Sequence, residues 1–204
     1  MIKAPCSRHL QKLKSTIAVL VITVTAASAA DEPWRLLIEP NFERHDAEWP
    51  IPGAERTVLV PARLIKDELK PLSRGEVKEL NVTRKDILAQ ALPAASEVLK
   101  GLKPNYVRDA NGVIVYAALQ SDSPLTASAV LAPEFSTMFD KKLGPEVLVA
   151  IPSRYSIYVF PKLSSVAQEM AETIILEYEA SPYPVSRELF SFVKGRFVAV
   201  GRYR

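Results

Sequence analysis

The chain has 204 residues, 48% of them hydrophobic and 24% charged, which suits one domain with a real core and excludes a chain disordered throughout. Its 16 prolines favour short elements with frequent breaks over a long helical bundle. The formal charge of +3 becomes −1 once the first thirty residues are set aside, because 22 basic residues then face 23 acidic ones, and that balance excludes a nucleic-acid surface.

Those first thirty residues read as a secretory signal. Lys3, Arg8, Lys12 and Lys14 come first, with no acid before Asp31. An apolar run from Ile17 to Val24 follows, then the small residues Ala26, Ala27, Ser28, Ala29 and Ala30. Basic, apolar and small is the order a signal peptidase reads. Cleavage is expected near Ala30, leaving Asp31 first, with Ala29 as the alternative cut. The apolar run of about a dozen residues falls short of the ~20 needed to span a bilayer, so a retained anchor is the second reading. Cys6, the single cysteine, lies before the apolar run, where it cannot bear a lipoprotein's lipid. No disulfide or cysteine-ligated metal is therefore expected in the mature protein. The expected location is periplasmic or secreted, with no integral membrane span after cleavage.

Residues 31–80 read as an N-terminal extension. Arg35 to Glu39 and Thr57 to Val60 are expected strands, and Pro61 and Pro71 bracket a third short piece. The main domain is expected over residues 81–204. Thr83 followed by Asp86 forms a capping box. Ile87, Leu88, Ala91, Leu92, Ala95, Val98, Leu99 and Leu102 then recur at helical spacing. Pro93 inside this run predicts a kink or two short helices. Asp109 to Gly112 is a turn, Val113 to Leu119 a strand, and Thr126 to Leu131 its returning partner. Pro133 to Lys141 reads as a short helix with Phe135, Met138 and Phe139 inward. Glu146 to Ile151 and Ser156 to Phe160 form a hairpin around Pro152-Ser153-Arg154-Tyr155. A helix follows, with Ser165 and Gln168 as its capping box and Leu163, Val166, Ala167, Met170, Ala171, Ile174 and Tyr178 as its buried stripe. Glu169, Glu172, Glu177 and Glu179 read as its wet face. Leu189 to Val193 and Phe197 to Val200 form the last hairpin. The fold class is α+β: an antiparallel sheet of hairpins with helices packed on one face.

Four segments carry a family resemblance: Val82-Thr83-Arg84-Lys85-Asp86, Ala127-Ser128-Ala129-Val130-Leu131, Val147-Leu148-Val149-Ala150-Ile151-Pro152-Ser153-Arg154, and Pro184-Val185-Ser186 before Leu189-Phe190. On these, residues 81–203 resemble the YtpQ-like family of uncharacterised bacterial proteins. The family pattern has an acid directly after the arginine, where Tyr155 stands here. The resemblance implies the fold and brings no activity with it.

The chemical motifs are sparse. His45, the single histidine after residue 30, sits in Glu43-Arg44-His45-Asp46-Ala47-Glu48. An imidazole among carboxylates is metal-binding chemistry, but one imidazole is few for a site, and neither a metal nor a cofactor is expected. No G-x-S-x-G elbow, P-loop or dinucleotide fingerprint occurs. Arg154 beside Tyr155 at the hairpin tip is the candidate binding pair, a guanidinium and a ring that suit an anionic group. The expected function is a non-enzymatic binding or chaperone-like domain of the cell envelope. It would meet a protein partner through an exposed apolar sheet face. The alternative is an envelope hydrolase whose carboxylates and serines become neighbours only on folding.

Overall fold

A computed structural model of the chain describes residues 33–66 and 68–204; the expected signal peptide lies outside them. The chain opens with β1 (Trp34–Pro40) and β2 (Trp49–Pro50), followed by β3 (Thr57–Ile65) and β4 (Glu68–Pro71). β3 is central, flanked by β1 on one side and by β2 and β4 on the other, all antiparallel. It runs straight through Pro61, where the sequence had suggested a break. The Pro61 carbonyl accepts from the Leu72 N–H at 2.9 Å. A strand residue's N–H and C=O point to the same side, so the donor Pro61 lacks would face away from β1, and that ladder survives. Ser73 and Glu76 form a capping box that starts the short helix α1 (Arg74–Glu79).

Helix α2 (Arg84–Gly101) begins at the expected box, with Thr83 and Asp86 bonding each other's backbone N–H. It continues through Pro93 as one helix, not two. Ala91, Ala94, Ala95 and Leu99 are buried on either side of the proline, and this packing holds the helix across one missing hydrogen bond.

The second sheet has six strands in the order β10-β9-β7-β8-β6-β5, every neighbouring pair antiparallel. Its members are β5 (Asn105–Arg108), β6 (Ile114–Gln120), β7 (Val147–Ser153), β8 (Ser156–Pro161), β9 (Glu188–Val193) and β10 (Arg196–Arg202). The β5–β6 turn is held by Asp109, whose Oδ1 accepts from the N–H groups of Asn111 and Val113, both at 2.9 Å. Lys194 and Gly195 have φ of 51° and 72°, the two positive values that a tight two-residue hairpin requires between β9 and β10.

Thr126 to Leu131 is a buried 3₁₀ helix, not the returning strand. Local bonds take the backbone away from any ladder: Thr126 Oγ1 donates to the Ser123 carbonyl at 2.8 Å, and the Ser128 N–H to that of Leu125 at 2.9 Å. Its small residues let the turn pack closely on the sheet and α2. Phe135 and Phe139 are fully buried as expected, ahead of α3 (Asp140–Leu143). The expected helix after β8 is two, α4 (Val166–Glu169) and α5 (Ala171–Ala180), parted at Met170. The Ser165–Gln168 box does not form, because the Ser165 hydroxyl donates to the Glu169 carboxylate instead, at 2.6 Å. Leu163 leaves the buried stripe and is 97% exposed.

The fold class is α+β with antiparallel hairpins. The helices divide between both faces of the larger sheet. Along β8, Ile157 and Val159 face a core shared with α2, the 3₁₀ turn and α3, while Tyr158 and Phe160 face one shared with α4 and α5. Both alternating sets are apolar, so both faces need cover, and the exposed apolar sheet face expected as a contact surface is instead occupied by α4 and α5. The smaller sheet joins the first of these cores through Ile38 and Leu59, together with Ile51 just after β2. Among the described residues, no helix is long and apolar enough to cross a membrane.

Candidate functional site at the hairpin tip

The β7–β8 tip is anchored by backbone bonds on several sides. The Arg154 N–H donates to the Tyr183 carbonyl at 3.1 Å, and the Val185 N–H to that of Pro152 at 2.9 Å. The Arg154 carbonyl accepts from the Ala127 N–H at 3.0 Å, and the Tyr155 carbonyl from Ser121 at 3.2 Å. The 3₁₀ helix that replaced a strand thus braces the tip. A turn whose backbone polar groups are satisfied on several sides has few alternative conformations, so the side chains it presents are pre-positioned.

A carboxylate network lies on one side. Glu177 reaches in from α5, and its Oε1 accepts from the Ser156 hydroxyl in a close contact and from Ser153 at 3.4 Å. Its Oε2 accepts from the Tyr158 hydroxyl at 2.6 Å, which in turn accepts from Gln120 Nε2 at 3.3 Å. Burial raises the Tyr158 phenol well above its ordinary pKa, and the Glu177 hydrogen bond and charge raise it further. The sequence had placed Glu177 on the wet face of its helix. Met170, Ile174 and Glu177 stand at i, i+4 and i+7, so the signal for its inward position was its place on the buried stripe. Beside this network opens a hollow of about 500 Å³, lined by Gln120, Ser121, Asp122, Tyr155, Ser156 and Glu177.

The two candidate binding residues part here. Tyr155 lines the hollow, while Arg154 turns away to the N-terminal sheet. Arg154 Nε donates to Glu39 Oε1 at 2.9 Å, and the two side chains are 16% and 1% exposed. Its guanidinium stands 5.1 Å from the centre of the Tyr183 ring, which Tyr155 meets edge-on at 6.0 Å. Burial raises the Glu39 pKa, against the opposing pull of Arg154. Glu39 is a site residue that sequence reasoning missed: an acid closing the apolar run Leu36 to Ile38.

Two further polar groupings complete the picture. Glu43 Oε2 lies 3.3 Å from His45 Nε2, and both residues fold back near Glu39. Glu188, buried in β9, accepts from the N–H groups of Glu55 at 2.7 Å and Arg56 at 3.2 Å and from the Thr57 hydroxyl at 2.6 Å. This last set joins the two sheets.

Comparisons with known protein families, with curated proteins and with solved structures find no match to the chain.

Proposed function

We propose that this chain is an exported, non-enzymatic binding domain of the cell envelope, related over residues 81–203 to the YtpQ-like family. Its ligand-binding region is the hollow beside the hairpin tip, and the groups it takes are hydroxyls and amines, free or borne by an envelope partner. One observation carries the reading. A rigid turn, two carboxylates, an amide and an aromatic ring line one open, shallow hollow through Glu177, Asp122, Gln120 and Tyr155. Carboxylates and amides suit polyol and ammonium donors, and a ring edge or face suits the apolar side of a sugar or amine. Arg154 acts from behind, holding the tip against the N-terminal sheet through Glu39.

A second reading, an envelope hydrolase, draws on the contact between the Ser156 hydroxyl and the Glu177 carboxylate. It is the weaker one, because Ser156 is itself buried and its hydroxyl is shared with Ser153 at 2.7 Å.

Calorimetric titration of the full chain with a hexosamine and with a linear diamine separates the two readings. Binding by the wild type, weakened roughly tenfold by Tyr155→Ala or Glu177→Gln, supports a binding site there (about 1.4 kcal/mol). Hydrolysis of a chromogenic ester that disappears in Ser156→Ala would put the enzyme first.

A further inference from the structure

A separate grouping lies at the end of β1, outside the lining of the hollow. The 3₁₀ turn Asn41–Glu43 and the left-handed residue Arg44, at φ 50° and ψ 66°, fold the chain back on itself. One donor atom from each of Glu39, Glu43 and His45 then lies within 4.8 Å of the other two. Glu39 Oε2 is buried with no hydrogen-bond partner, and His45 Nε2 has none beyond its 3.3 Å approach to Glu43 Oε2. The Glu39 side chain is only 1% exposed, so an oxygen without a donor has been taken out of water uncompensated. The other Glu39 oxygen is occupied by Arg154.

We propose that Glu39, Glu43 and His45 bind one divalent cation of the zinc class. The cation would satisfy the buried Glu39 oxygen and take up the His45 nitrogen and the Glu43 oxygen that now approach each other. Two carboxylates balance its double charge, and a neutral imidazole nitrogen offers a lone pair. Mixed nitrogen and oxygen donors favour Zn²⁺ or Co²⁺ over Mg²⁺ and Ca²⁺, which prefer oxygen alone. Arg154 takes the outer role of orienting the Glu39 carboxylate and leaving Oε2 for the cation. Three protein ligands leave a coordination position for water. The sequence showed only the Glu43–His45 half of this set, since Glu39 lies inside a strand.

The test is calorimetric titration of the chelator-treated full chain with Zn²⁺, repeated with Co²⁺ and read by visible absorption. One equivalent is expected to bind, weakened roughly tenfold or more in His45→Ala and in Glu43→Gln. The Glu43 side chain is partly exposed, so Glu43→Gln keeps the fold even if His45→Ala does not. The imidazole nitrogen resonance that vanishes in His45→Ala is expected to move on Zn²⁺ addition to the wild type. Absence of binding would overturn the proposal. Wild-type affinity in folded Glu43→Gln, with the His45 resonance unmoved, would also overturn it by placing the cation on other residues.

Discussion

Arg154 shows how a single residue's role changes between sequence and structure. At a hairpin tip, beside a tyrosine, it reads as an outward grip. In the folded chain its Nε meets Glu39, from a strand 115 positions away, and its guanidinium covers Tyr183. No pattern in the sequence pairs residues so far apart, which is why this contact was illegible. Truncating one partner of a buried ion pair leaves the other charge stranded. Arg154→Ala is therefore expected to destabilise the protein by about 3 kcal/mol in urea unfolding. Replacing both partners, as Arg154→Met with Glu39→Leu, should recover much of that loss. Equal stability of Arg154→Ala and the wild type would show that the pair does not hold the tip.

At the scale of elements, local chemistry was legible and tertiary chemistry was not. The β7–β8 and β9–β10 hairpins follow from apolar runs around turn residues, and α2 from Thr83 and Asp86. Thr126 to Leu131 misled because its β-branched and small residues resemble a strand, while the serine and threonine bonds that turn it into a 3₁₀ helix leave no periodic trace. The α2 cap allows a direct check. Thr83→Ala is expected to cost about 1 kcal/mol at neutral pH. The Thr83 hydroxyl and N–H bonds hold the Asp86 carboxyl below its ordinary pKa. A depressed folded pKa stabilises the protein above the ordinary carboxylate range and loses that effect as pH falls through the folded value. The difference between wild type and Thr83→Ala should therefore shrink as the pH falls through and below the ordinary carboxylate range. A difference that stays constant across that range would remove Asp86 from the cap.

For the whole molecule, the N-terminal strands are fastened to the larger sheet at separate points. Arg154 meets Glu39 at one, and Glu188 holds the backbone at Glu55 and Arg56 at another. At a third, Gly53 sits with φ +78° against β10, where an added Cβ would stand 2.4 Å from the Ala199 carbonyl oxygen. The larger sheet is covered by helices on both faces, so ligand access falls to its ends, and the hollow at the β7–β8 tip lies at one of them. The most direct measurement is a ¹⁵N shift map of the full chain titrated with a hexosamine and with a linear diamine. Saturable shifts centred on Gln120, Asp122, Tyr155 and Glu177, absent in Glu177→Gln, are expected. Shifts centred elsewhere, or none with either probe, would contradict a ligand site at the hairpin tip.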